Sequence, residues 1–263
     1  MISVRYITPE QVNSILSEAT TQLLHRFMQE RAFKAIHDAE GTWWYHARIF
    51  AIQRVLKYFK AKNELICDVG AGYGAMCPSL KPFGHVAALE PDPEARIRCK
   101  EMCDELLDAT DLNDLVQKES EKFTLVTFFD VVEHVEDDLG FLKSAHKLLE
   151  RGGHVFVTVP AFMSLWSELD VLAMHHRRYN KAHIISVLEK AGFEIQYASY
   201  WNMMLIIPAF IVRRGTGKAG YSAFGMPKWI DRIFFEWVKL ESRFMPRFSL
   251  PFGTSVFVYA RKK

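Results

Sequence analysis

A glycine-rich turn is the feature of this 263-residue sequence with the clearest chemical meaning. Gly70, Gly72 and Gly74 follow the apolar run 65–69, and glycine lets a backbone pass close to a ligand in conformations that other residues avoid. Asp68 stands just before the first glycine. Its charge would repel a pyrophosphate and attract a ligand that carries cationic groups. The alternative interpretation is a tight strand-helix connection without a ligand.

A second acidic residue, Glu90, ends the next apolar run, His85–Leu89. A carboxylate at the end of that strand can accept both hydroxyls of a ribose, although NAD enzymes use it as well. The dinucleotide pattern G-x-G-x-x-G tolerates alanine at its third glycine, and Ala75 stands there. Asp68 decides between the two ligands, because S-adenosylmethionine carries an ammonium and a sulfonium and a dinucleotide carries a pyrophosphate.

These segments resemble the signature motifs of the class I S-adenosylmethionine-dependent methyltransferases. The resemblance rests on residues 65–74, 88–92, 108–112 and 129–135, which occur in the expected order. It implies S-adenosylmethionine as the cofactor and these contacts: Asp68 and the backbone of Gly70 and Gly72 at the methionine end, Gly74 in the same turn, Glu90 at the ribose, Asp108 and Ala109 at the adenine, and Asp130 near the methionine portion. Asp111 is an alternative to Asp108, since the strand before them is weak.

An aromatic and basic cluster, residues 43–48, precedes the first strand. If this segment is helical, Trp44 and Arg48 lie on one face. In one interpretation the aromatic residues anchor an N-terminal helical cap on the core. In the other, which agrees with similar clusters in some methyltransferases of this kind, Arg48 meets the methionine carboxylate and Trp44 covers the cofactor.

The substrate side is predicted in an irregular stretch after the fifth strand, and loops beyond strand ends often carry function. It contains Glu168 and Asp170 and then residues 175–179, which resemble a motif of a bacterial methyltransferase group that supplies no substrate. A histidine there can deprotonate a hydroxyl acceptor, and an arginine can bind an anionic substrate group. The candidate bases are His175, His176 and His134, and the candidate substrate-binding residues are Arg177, Arg178 and Tyr179. The alternatives are a solvated loop, a structural hydrogen-bonding corner, or transfer without a base.

The elements that must position these residues alternate between short apolar runs and amphipathic segments, which predicts an α/β fold. We expect a Rossmann-like, doubly wound, mostly parallel seven-stranded sheet with a helical N-terminal cap (residues 1–60) and a methyltransferase domain (residues 61–263). A C-terminal lid is inserted at about residues 201–253. The expected strands are 64–69, 85–89, 106–108, 123–129, 154–159, 193–200 and 254–260.

The expected helices follow from prolines, acidic residues and glycines at their ends. Pro93 opens a helix over 94–107, and Asp137 and Asp138 begin one that runs to about 149 and ends at Gly152 and Gly153. Two further helices cover 181–191 and 228–244. The last would carry Trp229, Ile233, Trp237 and Leu240 in one stripe. That stripe is either core or a surface for a hydrophobic acceptor or a membrane.

Composition excludes several classes of protein. Lys and Arg number 33 against 31 Asp and Glu, so no nucleic-acid partner is expected. None of the four cysteines has Cys-x-x-Cys spacing, and we expect reduced thiols, no metal and a cytoplasmic protein, with peripheral membrane contact as an open alternative. The N-terminus has no signal-peptide pattern.

The sequence thus predicts methyl transfer from S-adenosylmethionine to an oxygen or nitrogen atom of a small-molecule or lipid-linked acceptor. Two rivals stay open: an NAD-dependent oxidoreductase and a non-catalytic, cofactor-binding scaffold module. The oligomeric state is not predicted.

Overall fold

A computed structural model of the chain describes residues 42–206 and 228–263. The first 41 residues of the predicted cap and residues 207–227 of the predicted insertion lie outside these ranges. Within the described part, no helix is both long enough and apolar enough to cross a membrane.

A seven-stranded sheet forms the centre of the fold, with strand order β3-β2-β1-β4-β5-β7-β6. The pairs within β3-β2-β1-β4-β5 are parallel, and β7 is antiparallel to both of its neighbours. This confirms the predicted fold class. The strands are β1 Glu64–Val69, β2 Gly84–Leu89, β3 Glu105–Leu106, β4 Phe123–Phe129, β5 Leu149–Pro160, β6 Phe193–Trp201 and β7 Ser255–Lys262.

Helices cover the sheet, and polar residues begin several of them. Asp92, Asp111, Asp137 and Asn180 each accept hydrogen bonds from first-turn amides, which are otherwise unpaired. The helices are α1 Trp43–Tyr58, α2 Cys77–Leu80, α3 Pro93–Met102, α4 Leu112–Lys118, α5 Asp138–Leu148, α6 Glu168–Leu172, α7 Lys181–Lys190 and α8 Lys228–Phe244. Short 3-10 turns lie at Lys81–Phe83, Val132–His134, Met163–Leu165 and Met203–Leu205.

Three predicted boundaries are wrong. Strand β3 covers Glu105–Leu106 and not residues 106–108. Helix α3 ends at Met102, because residues 105–106 pair with β2 as strand β3. Strand β5 starts directly after α5, so Gly152 and Gly153 lie inside the strand and do not end the helix. Gly152 adopts φ +80°, and the β4-β5 register shifts between Phe123 and Leu125. An irregularity inside a strand often contains glycine, as a turn does, because glycine adopts a positive φ without steric strain.

Two apolar clusters lie in the interior. One includes Phe128 of β4 and the buried residues of α5 and α7. The other joins α1 to the sheet, for example Ile52 to Phe257, and reaches Val238 of α8. Helices α1 and α8 are also in contact, with the rings of Trp43 and Phe234 stacked at 5.4 Å.

Candidate active site

The glycine turn follows β1 at the carboxyl end of the parallel strands, where open α/β sheets bind ligands. Gly70, Gly72 and Gly74 have φ of +69°, +57° and +76°. A Cβ atom on Gly70 would lie 2.8 Å from Val131, and one on Gly74 would lie 2.8 Å from Met102. Both the backbone conformation and the packing therefore require glycine at these two positions.

Glu90 is brought to this turn, as predicted. Its carboxylate accepts the amide of Gly72 at 2.6 Å and that of Asp92 at 2.8 Å, and the residue is 4% exposed. Burial raises the pKa of Glu90, while the two amide hydrogen bonds oppose that rise. The carboxylate holds the turn against β2, next to the place predicted for a ribose.

Asp68 lies beneath the turn and is buried. Its carboxylate accepts the Thr127 hydroxyl at 2.6 Å and contacts the Cys77 thiol at 3.9 Å. Burial raises the pKa of Asp68 to about 7, with the Thr127 hydrogen bond and the Arg48 charge opposing. Asp68 therefore carries only part of a charge near neutral pH, and the electrostatic argument against a pyrophosphate is weaker than the sequence indicated.

Arg48, in the second turn of α1, and Asp130, directly after β4, form an ion pair with Nη1 and Oδ2 2.7 Å apart. Nη2 of Arg48 donates to the Thr158 hydroxyl at 2.7 Å, and that hydroxyl donates to Asp130 at 3.1 Å. The Arg48 guanidinium also lies 5.2 Å from the centre of the Trp44 ring, so both residues share one helix face as predicted. Asp130 adopts φ +59°, which turns the chain sharply after the strand.

The two aspartates considered for the adenine differ in their surroundings. Asp111 begins α4 and accepts the amides of Asn113 and Asp114. The Asp108 side chain is exposed, and Ala109 beside it is buried. Helix capping engages Oδ1 of Asp111, so Asp108 stays our candidate for the ligand contact.

His134 and His175 meet beside Glu133. The two imidazole rings lie 4.6 Å apart, and His175 Nε2 is 4.0 Å from Glu133 Oε1. His175 Nδ1 is 2.8 Å from Asp170, a buried carboxylate with a lowered pKa because His175 and Arg178 bind it against the effect of burial. His134 is exposed as a residue, but its ring packs against His175, and partial desolvation together with the His175 ring lowers the pKa of His134.

The remaining predicted substrate residues form a structural corner, the alternative that the sequence left open. Arg178 is buried and binds Asp170 through two nitrogens, at 2.6 and 3.0 Å. Tyr179 is fully buried and donates to Asp138 at 2.8 Å, and Arg177 also binds Asp138. His176 is exposed, with its amide donating to the Glu133 carbonyl. These contacts leave Arg178 and Tyr179 no exposed group for a substrate.

Several contacts of the site could not be predicted from sequence. Thr127 lies beside Asp68 because β1 and β4 pair in that register, and Thr158 is brought to Asp130 by the pairing of β4 with β5. The contact between Asp170 and His175 is different, because only five residues separate them and the sequence could have indicated it.

The charges of the crevice fit S-adenosylmethionine. Three carboxylates, of Asp68, Glu90 and Asp130, surround the turn together with the guanidinium of Arg48. That balance suits a cationic ligand better than a pyrophosphate. Because the glycines have no side chains, a ligand can approach the backbone of the turn closely.

Comparisons with known proteins agree with this geometry. A family model described as a methyltransferase domain matches residues 43–198. A ubiquinone biosynthesis O-methyltransferase from Vibrio vulnificus is 31% identical over 140 residues, which are 47% of this chain and 59% of the relative. The chain thus spans about three fifths of the length of this curated relative.

Solved structures show the same fold. A chain of the complex between the Haloferax volcanii Trm112 methyltransferase activator and a methyltransferase aligns with TM-score 0.58 and 12% identity over 90% of this chain and 96% of that one. An S-adenosylmethionine-dependent methyltransferase from Thermotoga maritima aligns with TM-score 0.53 and 15% identity over 86% and 99%. With a family match over more than half of its length, this chain belongs to the class I S-adenosylmethionine-dependent methyltransferases.

Proposed function

We propose that this protein transfers a methyl group from S-adenosylmethionine to an oxygen atom of a small-molecule or lipid-linked acceptor, with nitrogen as the second candidate atom. The crevice that joins the glycine turn, Glu90 and the Arg48–Asp130 pair carries the proposal. Oxygen is favoured because the relative described above is named an O-methyltransferase. When bound, the cofactor supplies its methyl group: the acceptor lone pair bonds to the methyl carbon while the carbon-sulfur bond breaks and its electrons stay on sulfur.

The side chains of the crevice have separate roles in this proposal. Glu90 accepts the ribose hydroxyls, Asp108 and Ala109 border the adenine, and Asp130 faces the ammonium of the methionine portion. Arg48 already binds Asp130 and Thr158 and is nearly buried, so we assign it to positioning Asp130 and not to a ligand carboxylate. The Trp44 ring lies against the Arg48 guanidinium and helps to hold it in place.

The acceptor is proposed to lie beside His134 and His175. His134 follows Asp130 by four residues and feels its charge, and the His175 ring packs against that of His134. His175 is held by Asp170 at Nδ1, so its Nε2 faces Glu133 and assists loss of the acceptor proton. His176 is exposed and lacks such a partner among the described contacts. His175 is therefore the candidate catalytic residue of the pair.

The surface of α8 supports a lipid-linked acceptor. Five apolar side chains of this helix are about half exposed or more, including Phe244 at its end. The other four line an open groove of about 590 Å³ with Arg232 and Glu236: Trp229 (66%), Ile233 (50%), Trp237 (49%) and Leu240 (45%). The predicted stripe is therefore on the surface. Exposed Arg243 and Arg247 follow it, which suits an anionic bilayer surface.

Titration calorimetry tests the cofactor. S-adenosylmethionine should bind with saturation and NAD should not. Glu90→Gln should weaken that binding about tenfold or more, because the charge-assisted hydrogen bonds to the ribose are lost. Glu101→Gln, an exposed position on α3, is the matched control and should bind as the original chain does. NAD binding instead would overturn the proposal in favour of an oxidoreductase.

Methyl transfer itself needs a second measurement. Prenylated and unprenylated phenols should be incubated with the protein and the cofactor, and the methylated product identified by mass spectrometry. Cofactor binding without a methylated product from either acceptor class would favour the scaffold rival. The unprenylated phenol reacting faster than the prenylated one would contradict the lipid-linked proposal.

Vesicle binding tests the role of α8. The chain should co-sediment with phosphatidylcholine vesicles that contain phosphatidylglycerol, and Trp229→Ser with Trp237→Ser should reduce the bound fraction severalfold because two large apolar contacts are lost. Ile97→Ser removes an even more exposed apolar side chain from α3 and should leave binding unchanged. Equal losses in both variants would refute a membrane surface on α8.

A further inference from the structure

Glu133, His134 and His175 form a cluster whose chemistry goes beyond proton uptake. One carboxylate oxygen and one ring nitrogen from each histidine lie within 4.8 Å of one another. Residues 133 and 134 come from the 3-10 turn after β4, and His175 comes from the loop after α6. Two loops that are distant in sequence thus bring three metal-ligating groups together.

Both histidines have the orientation that metal ligands use. His175 Nδ1 contacts the Asp170 carboxylate at 2.8 Å, and the His134 ring is hydrogen-bonded to the backbone of Ala173. Metal-binding histidines generally hold one ring nitrogen on a carboxylate or backbone carbonyl and use the other for the ion. Asp170 is itself fixed by Arg178, so the His175 ring has little freedom to turn away.

Glu133 supplies an independent observation. It is fully buried, and neither of its carboxylate oxygens accepts a hydrogen bond from another residue within residues 42–206 and 228–263. Leaving a buried polar group unpaired destabilises the folded chain, and an unpaired buried charge does so more strongly. His175 Nε2 is 4.0 Å from Glu133 Oε1, beyond hydrogen-bond reach, and the charges of Arg48 and Arg178 act on Glu133 without a direct ion pair. A metal ion bound between the Glu133 carboxylate and the two imidazoles would give this buried carboxylate the partner that it lacks.

We propose that Glu133, His134 and His175 bind a divalent transition-metal ion. This replaces the expectation from sequence that the protein uses no metal. Two imidazoles and one carboxylate suit zinc, cobalt or iron(II) better than magnesium, which prefers oxygen ligands. Ligands about 2.1 Å from a zinc ion lie about 3.4 Å apart, so small side-chain rotations close the site.

Three protein ligands leave coordination positions open for an acceptor oxygen. An acceptor hydroxyl bound there loses its proton to water because the ion lowers the pKa of that hydroxyl. In this arrangement His175 assists proton loss as a ligand of the ion and takes up no proton itself. That consequence rests on the proposed methyl transfer, whereas ion binding does not.

The test uses the untagged full chain after removal of metal with a chelator, and no cofactor. Cobalt(II) should bind at one equivalent with visible absorption bands typical of nitrogen and oxygen ligands, and zinc should displace it in calorimetry. Glu133→Gln and His175→Ala should each weaken zinc binding about 100-fold. His176→Ala, next to the cluster but exposed, should bind zinc as the original chain does.

Three outcomes would overturn the proposal: no saturable binding, equal affinity in Glu133→Gln and the original chain, or an intense cobalt-thiolate band that places the ion at the buried cysteines. Thermal unfolding of each variant shows whether the fold survives, and Glu133→Gln changes charge with little change in shape. Since no cofactor is present, failure of the methyltransferase proposal would not change these results.

Discussion

At the scale of single residues, burial decides what each acidic side chain of the crevice can do. Asp130 is ion-paired with Arg48, Glu90 accepts two amides, and Asp68 has one hydroxyl and one thiol as partners. With so few partners for a buried carboxylate, desolvation raises the pKa of Asp68 to about 7. Its protonation should be visible as a pH-dependent part of the free energy of unfolding.

Asp68→Asn tests this effect. The pKa of Asp68 is about 7 in the folded chain, against 3.8 for an aspartate in water, so the folded state binds more protons between these values. Stability from Asp68 is fully present below about pH 4 and is lost as the pH rises through 7. Relative to the original chain, the variant should gain up to about 4 kcal/mol over that interval. Urea unfolding from pH 4.5 to 8 measures it.

Gln117→Ala, at an exposed position and without any titratable group, is the control and should show a difference that is constant over the same pH range. A constant difference for Asp68→Asn as well would mean that Asp68 is charged throughout. The electrostatic argument for a cationic ligand would then regain its full strength.

At the scale of elements, the sequence predicted those strands and helices whose bounds are determined by a local pattern of apolar residues. The apolar runs located β1 and β4 to the residue, and helix α8 has the predicted bounds. Strand β3 has only two residues and little local signal, and β5 begins five residues earlier than expected, because pairing with β4 extends it. The Arg48–Thr158 bond joins residues 110 positions apart, so no local pattern contains it.

The glycine turn gives an element-scale prediction. Gly74→Ala should lower the free energy of unfolding by about 1–2 kcal/mol, because alanine is strained in the left-handed backbone conformation of this position. The new methyl group would also be too close to Met102 and the Cys99 backbone, which lowers the free energy of unfolding further. Gly152→Ala has a similar φ but nothing within 4 Å of the new Cβ, so it isolates the backbone effect. Urea unfolding of both variants separates the two effects. Equal losses would show that α3 moves away without cost.

At the scale of the whole molecule, the described part of the predicted cap and insertion is joined to the sheet. Trp201, at the end of β6, donates to Ser242 of α8 at 3.1 Å. Glu241 of α8 accepts the amides of Asn202 and Met203 at 2.6 and 2.9 Å. Helix α1 contacts α8 and shares an apolar cluster with the sheet. The domain division at residue 60 stays a prediction, and these contacts favour a single cooperative unit.

Cooperative unfolding can be tested at Ile52, a fully buried residue of α1. Ile52→Ala should cost about 2–4 kcal/mol, because it removes buried methyl groups and leaves a cavity between α1 and the sheet. Lys57→Ala, exposed on the same helix, should change stability by no more than about 0.5 kcal/mol. In urea, far-ultraviolet circular dichroism and tryptophan fluorescence should give one shared midpoint, lowered equally in Ile52→Ala. If the two midpoints separate, α1 unfolds before the sheet, and the cap is a unit of its own as the division at residue 60 implies.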